Sequence, residues 1–116
     1  MNARNEAALI ATCPIAAAMA LIGGRWKVMI LWYIGAGLDR YGALHRTIPG
    51  ISGKMLYQQL RELEQSGLLL RVVEGRKVSY RLTALGVSVQ DPLGHLERWS
   101  RAHDIPSHAI AVRSRG

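Results

Sequence analysis

The stretch that decides the fold is GISGKMLYQQLRELEQSGLLLR, residues 50–71. With about 100° of rotation per residue, the apolar stripe of a helix falls on one narrow arc. That arc holds Leu56, Leu60 and Leu63. Nearly opposite lie Lys54, Gln58, Arg61 and Gln65. Such a helix packs its stripe on a core, and its outer face either is simply solvated or binds an anionic partner that accepts hydrogen bonds.

Composition limits the choice of partner. The chain has 116 residues, enough for one domain with a single core. Fifteen Lys and Arg against eight Asp and Glu give a formal charge of +7, which favours a polyanionic partner: nucleic acid or an anionic membrane surface. The single cysteine excludes an internal disulfide and a multi-cysteine zinc site, and it suits the cytoplasm.

The apolar stretch AALIATCPIAAAMALIGG, residues 7–24, could imitate a signal peptide or a lipoprotein motif. We reject both because Arg4 and Glu6 leave the leading segment without net positive charge, and Pro14 interrupts the apolar run. The run is also too short to span a bilayer. We therefore expect a cytoplasmic protein with no membrane partner.

Helix signals precede and include the opening stretch. A short helix is predicted over 3–11, a second from Pro14 to the glycines after residue 22, and a third within 25–37. The second and third are apolar nearly all round, so we expect both to be buried. A fourth short helix over 41–48 is joined by a Pro-Gly turn to the helix of 52–66, for which Ser52 is a suitable N-cap. Two helices joined by such a turn indicate a helix-turn-helix.

After Gly67 the period changes from that of a helix to that of a strand. LLLRVV (68–73) and KVSYRLT (77–83) are rich in branched and aromatic residues, and they flank a tight turn at Gly75. This pattern predicts a β-hairpin whose tip presents Arg76 and Lys77. A basic hairpin beside a helix-turn-helix is a wing.

The last helical region begins with Thr83 as a cap. We predict a short helix to about Gln90, then a new helix with Asp91 as cap and Pro92 at its first position, ended by Ile105-Pro106. A terminal stripe that a small core does not need often packs on a partner subunit. The predicted dimer contacts on this stripe are Leu85, Val89, Leu93, Leu96 and Trp99.

The predicted fold class is therefore mainly α with a small β-hairpin wing, a dimeric winged helix-turn-helix. All of it forms one structural domain with four regions. These are N-terminal support helices (1–24), the winged helix-turn-helix region (25–83), a C-terminal helix expected to dimerise (84–106) and a flexible tail (107–116).

Three stretches carry a closer resemblance: CPIAAAMALIGGRWKVMIL, RYGALHRTIPGISGKMLYQQLRELEQSGLLLR and VSYRLTALG. Together they resemble the HxlR family of bacterial winged helix-turn-helix transcription regulators, which is related in fold to the MarR group. The resemblance implies a dimeric DNA-binding protein. This chain departs from the family pattern at Ala43 and Ser79, where glutamate is frequent, and in a shorter hairpin that lacks the proline-containing wing of many members.

The residues that we predict to bind double-stranded DNA are Ser52, Lys54, Tyr57, Gln58, Arg61, Arg76 and Lys77. Lys54 and Gln58 suit guanine and adenine edges, and Ser52 with the first helix amides suits a phosphate. Arg61 lies further along and suits the backbone. The wing-tip charges suit phosphates or the minor groove, although solvated turn charges are the alternative.

Cys13 precedes Pro14 and so lies at the positive end of a helix, which favours a reactive thiolate. Some members of the family that the chain resembles sense quinones, aldehydes or oxidants through a cysteine near this position. The alternative is an inert structural cysteine. The fold also leaves room for a small-molecule inducer between the dimer helices and the helix-turn-helix. We expect no cofactor.

Three other classes of function compete with DNA binding. An enzyme has little support because the histidines show no ligand spacing beyond a loose pair near the C-terminus: His45, His95, His103 and His108. A winged-helix module that binds protein would favour an acidic or apolar outer face. A peripheral membrane protein would gather its basic residues along one amphipathic helix.

Overall fold

The computed structural model of the protein describes residues 3–106. In this range the chain forms seven helices and one antiparallel two-stranded sheet. The helices are α1 (Ala3–Thr12), α2 (Pro14–Ile22), α3 (Lys27–Gly35), α4 (Tyr41–Thr47), α5 (Gly53–Gln65), α6 (Ala84–Ser88) and α7 (Gln90–Ala102). The strands are β1 (Leu69–Glu74) and β2 (Lys77–Leu82).

The core lies around α3, which contacts α5, β2 and α7. Three residues of α3 are buried, Ile30, Leu31 and Ile34, as the sequence predicts for this helix. The three leucines of α5 pack into the same cluster and are at most 1% exposed. Full burial of one such side chain stabilises a fold by roughly 1.5–3 kcal/mol. The apolar stripe of α5 is therefore what fixes the helix to the rest of the domain.

The helix-turn-helix forms as predicted, and two buried isoleucines hold its turn. Ile48 ends α4 and Ile51 precedes α5, and both are at most 5% exposed. Between them Gly50 takes a φ of +79°, a conformation that glycine adopts without steric cost. Because both ends of the turn are buried in the core, the angle between α4 and α5 is set by packing.

The wing also forms as predicted. Glu74 pairs with Lys77 at the tip, and Gly75 between them has a φ of +63°. Besides the hairpin ladder, the amide of Tyr80 donates to the carbonyl of Asp39 at 2.8 Å. This bond ties β2 to the connection between α3 and α4, so the base of the wing is anchored to the helical core.

The expectation that the second helix is buried is wrong within one chain. α2 packs mainly against α1, and of its residues only Ile22 is buried. Ile15 is 73% exposed and Met19 is 51% exposed. A helix that is apolar all round has no polar face to direct it outward, so its composition alone could not tell a core helix from one left uncovered.

The last helix begins earlier than predicted. Thr83 does cap α6, but α7 starts at Gln90 after the single residue Val89, without Asp91 as its cap. Pro92 is accommodated at the third position because the first four amides of a helix have no acceptor within it. α7 ends at Ala102, before the predicted stop. The predicted flexible tail lies outside the described residues.

The side chain of Gln90 explains the early start. Its amide donates to the carbonyl of Leu31 at 3.2 Å and to that of Gly86 at 3.3 Å. These bonds fasten the first turn of α7 to α3 and α6. The start of α7 is therefore chosen by contacts with residues far away in the sequence.

Among the described residues, no single helix has the length and hydropathy needed to cross a membrane. The segments Asn5–Thr12 and Pro14–Ile22 reach that length and hydropathy only when taken together, and they are bent by 116° at their junction.

Candidate nucleic-acid interface

The outer face of α5 is free of the core, as the sequence predicts. Lys54, Tyr57, Gln58 and Arg61 are all exposed, and Gln65 continues the same face at the last turn. The leucines thus pack one face of the helix on the core, and a row of hydrogen-bonding and cationic side chains on the opposite face is exposed to solvent. An α-helix with this division fits the major groove of B-form DNA, which is about 12 Å wide.

The start of α5 is capped as predicted. The hydroxyl oxygen of Ser52 accepts a hydrogen bond from the amide of Met55 at 3.0 Å. A serine hydroxyl has one proton to donate besides its acceptor sites, so the cap leaves that proton available to a phosphate. Because the first amides of a helix point along its axis, Ser52 and the helix N-terminus together offer donors to one anion.

Tyr57 and Arg61 form a unit one helical turn apart. Arg61 Nη1 donates to the hydroxyl of Tyr57 at 3.3 Å, and the guanidinium carbon lies 5.9 Å from the centre of the tyrosine ring. The hydrogen bond with Tyr57 raises the pKa of Arg61. The tyrosine therefore orients the arginine along the outer face.

One acidic residue on the flank of α5, Glu62, is partly neutralised by other residues of the domain. Glu62 accepts from the side-chain amide of Gln59 at 3.0 Å, and its other oxygen lies 3.8 Å from the ammonium of Lys27 on α3. Lys27 therefore joins α3 to α5. Arg25, two residues before Lys27, has its guanidinium carbon 5.5 Å from the centre of the Trp26 ring. The outward row of α5 keeps its positive charge because Glu62 is directed sideways.

At the tip of the wing, Arg76 and Lys77 are exposed on either side of the end of the turn. Lys77 lies opposite Glu74 in the register, so part of its charge is balanced across the hairpin. Arg76 has no such opposite residue. The tip lies at the far end of the hairpin from the core.

Sequence reasoning missed two residues of this surface, Arg71 and Tyr80. They are directly opposite each other in the hairpin, on the same face as the pair Leu69 and Leu82. Counting back from the two-residue turn would have found this pairing. Burial raises the pKa of Tyr80, and hydrogen bonding to Arg71 opposes that rise in part. This pair faces α5 across an open cleft.

The predicted dimer stripe divides into two sets. Leu93 is only 6% exposed and lies in the chain's own core, and the partly buried Val89 packs against that core, so their predicted dimer contacts stay predictions. Leu85, Leu96 and Trp99 remain about half exposed, at 48%, 56% and 55%. For Leu96 and Trp99 the cause is geometric, because α7 turns one side toward α3 and leaves the other uncovered.

Leu96 and Trp99 also border an apolar groove of about 490 Å³ between α3 and α7. The α3 side of this groove is formed by Val28, Met29, Trp32 and Tyr33. Such a groove beside exposed apolar side chains is typical of a surface that becomes covered on association.

Cys13 lies at the N-cap of α2, as predicted. Its backbone is extended, with φ −128° and ψ 111°, and its side chain makes no capping hydrogen bond. The thiol is partly exposed. The sulfur therefore lies at the first turn of a helix and can be reached from solvent.

Comparison with known proteins agrees with this architecture. The sequence pattern of the HxlR-like helix-turn-helix family matches residues 21–107. A regulatory protein named MalR, from Fusobacterium mortiferum, is 38% identical over 93 residues, which are 77% of this chain and 88% of MalR. YtcD of Bacillus subtilis, classed as an HTH-type transcriptional regulator, is 40% identical over 92 residues, 77% of this chain and 73% of YtcD.

Solved structures give the same result. The crystal structure of a ytcD regulator superimposes with a TM-score of 0.72 at 40% identity, covering 79% of this chain and 97% of that one. The oxidised form of the redox regulator HypR gives 0.73 at 32% identity, covering 78% and 96%. These relatives are named as regulators, and YtcD is named as an HTH-type transcriptional regulator. This chain is therefore a winged helix-turn-helix transcriptional regulator that belongs to the HxlR-like family.

Proposed function

We propose that this regulator binds a near-palindromic operator as a homodimer in the cytoplasm and represses transcription from it. The observation that carries the proposal is the division of α5, with Leu56, Leu60 and Leu63 buried and Lys54, Gln58 and Arg61 exposed. A helix with one face packed on the core and a polar face exposed to solvent has the form of a recognition helix. Two copies related by a two-fold axis would place two such helices in successive major grooves, roughly 34–36 Å apart.

Within each half-site, Lys54 and Gln58 approach base edges because they lie on the first two turns of the helix. A lysine matches the acceptors of guanine, and a glutamine matches the donor and acceptor of adenine. Ser52 holds a phosphate with the proton that its cap does not use. Tyr57 keeps Arg61 extended toward the backbone, and Arg76 and Lys77 add sequence-independent contacts at the wing.

The dimer forms through the uncovered side of the terminal helix. Leu85, Leu96 and Trp99 are each about half exposed, and a single chain leaves this apolar area in water. Replacing Leu96 and Trp99 with alanine should convert the dimer to a monomer in sedimentation experiments, with unchanged helical circular dichroism. A dimer that persists at the same concentration would contradict this interface.

Cys13 is the proposed site of a redox or electrophile signal. The relative HypR is described as a redox regulator and has been solved in oxidised and reduced forms, at 32% and 30% identity. With one cysteine per chain, oxidation joins two Cys13 thiols of two subunits in a disulfide and transfers two electrons to the oxidant. Alternatively, the thiolate adds to a quinone and forms a sulfur–carbon bond. Cys13→Ser should keep DNA binding and abolish its loss on oxidant treatment, and a retained response would contradict this role.

Selection of bound sequences from a random DNA pool tests the main proposal. An inverted repeat should be recovered, and its spacing should match the distance between the two recognition helices. Lys54→Ala with Gln58→Ala should then reduce the ratio of operator to random-duplex affinity by about tenfold or more, because a base-reading pair is worth roughly 1–3 kcal/mol. Arg76→Ala with Lys77→Ala is the control, since it should lower both affinities and leave their ratio intact.

A winged-helix module that binds protein is the alternative function. It predicts no enrichment from the pool and no salt-dependent binding to duplex DNA. Either result with folded wild-type protein would reject the DNA-binding proposal. A small-molecule inducer, if one exists, would be detected by its effect on operator affinity.

A further inference from the structure

An open cleft of about 420 Å³ separates the second half of α5 from the inner face of the wing. It is lined from the helix by Tyr57, Arg61, Glu64 and Gln65, and from the wing by Arg71 and Tyr80. Two guanidinium groups from different elements thus border one space, with a single carboxylate beside them. The lining is cationic on balance and suits an anion.

The hairpin register determines which residues line the wing side of this cleft. Arg71 lies opposite Tyr80, and the next pair on the same face is Leu69 with Leu82 toward the core. Tyr80 is 6% exposed and its amide is bonded to Asp39, so its ring cannot leave without opening the base of the wing. Arg71 therefore projects from a fixed backbone and a fixed neighbour.

Both arginines are oriented and still have unused donors. Arg61 hydrogen-bonds to the hydroxyl of Tyr57, and Arg71 lies directly opposite Tyr80 in the hairpin. A guanidinium has five N–H donors, so each arginine keeps several for another acceptor. The hydroxyl of Tyr57 accepts from Arg61 and keeps its own proton to donate. Planar N–H forks match phosphate oxygens better than they match a spherical anion.

We propose that this cleft grips one backbone phosphate of a bound DNA strand between Arg61 and Arg71, with Tyr80 as the residue that positions Arg71. The inference rests on the proposed function, since it requires α5 to lie in the major groove. A strand that borders the groove then passes between the recognition helix and the wing. The contact is independent of sequence and fixes how deeply α5 enters the groove.

The salt dependence of binding to a duplex tests the shared phosphate. Arg61→Gln and Arg71→Gln should each lower the slope of log affinity against log salt by less than one, because the remaining arginine still partly neutralises the phosphate. The double variant should lower the slope by about one, the value for one lost phosphate contact. A loss of about two in the double variant would mean two separate contacts and overturn the proposal.

Arg81→Gln is the matched control for charge. Arg81 is exposed in the same strand as Tyr80 but on the opposite face of the hairpin, so its removal changes the net charge equally without touching the cleft. Its slope should stay at the wild-type value. A slope lowered as much as that of Arg71→Gln would show a general charge effect and overturn the assignment of the cleft.

The positioning role of Tyr80 has its own test. Tyr80→Phe keeps the ring in the core and removes only the hydroxyl, so it should weaken duplex binding in the wild-type chain and have no effect in the Arg71→Gln background. Equal losses of duplex affinity in both backgrounds would show that Tyr80 has a structural role alone and would reject its positioning role.

Failure of the inference can be told apart from failure of the proposed function. A wild-type chain that binds no duplex overturns both, whereas a chain that binds duplex with the same slope after Arg71→Gln overturns only the clamp. Inorganic pyrophosphate probes a free phosphate ligand in the cleft. A rise in Tm with pyrophosphate that Arg71→Gln abolishes, together with unchanged duplex binding, would assign the cleft to such a ligand and overturn the proposal.

Discussion

The hydroxyl of Tyr41, at the start of α4, donates a hydrogen bond of 2.9 Å to the backbone carbonyl of Gly53, the first residue of α5. The bond spans 12 positions of the chain and joins the first residue of α4 to the first residue of α5. A Cβ on Gly53 would lie 2.8 Å from that hydroxyl. A larger residue at position 53 would therefore conflict with the hydroxyl of Tyr41.

Gly53→Ala should lower the free energy of unfolding in the wild-type chain but raise it, or leave it unchanged, in the Tyr41→Phe background. Removing the hydroxyl frees the space that the new methyl group needs, and alanine is favoured over glycine in a helix by about 1 kcal/mol. Tyr41→Phe alone should cost about 1 kcal/mol for the lost hydrogen bond. Urea unfolding of the four proteins gives the coupling, and additive effects would contradict it.

Gly86→Ala should destabilise the domain by roughly 1–3 kcal/mol, because an added Cβ would overlap the carbonyl oxygen of Leu68. The oxygen belongs to the backbone at the base of the wing and cannot move aside alone. Gly94→Ala on α7 is the control, since its Cβ would meet only the flexible end of Arg98 at 3.3 Å and Trp32 at 3.8 Å. Thermal unfolding should show a lowered Tm for the first variant only, and equal shifts would contradict the steric explanation.

Thr83→Ala should cost about 1–2 kcal/mol of unfolding free energy, because a helix cap is lost. The Thr83 hydroxyl accepts from the amide of Gly86 at 3.1 Å and donates to the carbonyl of Gly67 at 2.6 Å. It thus links the end of α5 to the start of α6. Thr83→Ser keeps both bonds and should retain most of the stability in urea unfolding. Equal losses in both variants would point to the methyl group instead.

Alkaline pH should reduce the stability of the wild-type chain more than that of Tyr80→Phe. Burial raises the pKa of Tyr80 in the folded state, so the unfolded chain loses this proton at a lower pH than the folded one. The contribution is fully present below the unfolded pKa of about 10 and is lost as pH rises through the folded value. Unfolding free energies at about pH 9 and about pH 11 should show a shrinking difference between the two proteins. A constant difference would contradict the shift.

Local patterns explain the part of the fold that was predictable. The caps at Ser52 and Thr83 and the glycine turns at 50 and 75 depend on residues no more than a few positions apart, and all four occur as predicted. The same holds for the buried stripe of α5. These features follow from helix period and turn stereochemistry, which any short segment carries in itself.

Periodicity left open which surface each apolar residue of α7 packs against. Leu93 and Leu96 belong to one predicted stripe on α7, yet the first is 6% exposed and the second 56%. Which of them meets the core depends on how α7 crosses α3, and that crossing is tied by the bond from Gln90 to Leu31, 59 residues away in the chain. Hydrophobic periodicity carries no information about a contact between residues so far apart in the chain.

By itself the sequence determined the class of this protein: the order of its helices, the turn between α4 and α5, the wing, and the row from Lys54 to Arg61 that faces outward. Tertiary structure alone decided that α2 stays uncovered, that Leu93 enters the core, and that Arg61 and Arg71 border one cleft. The physical reason is the distance along the chain over which each kind of interaction acts. Backbone and capping preferences act over one or two turns, whereas burial and convergence of charges arise only when distant segments pack together.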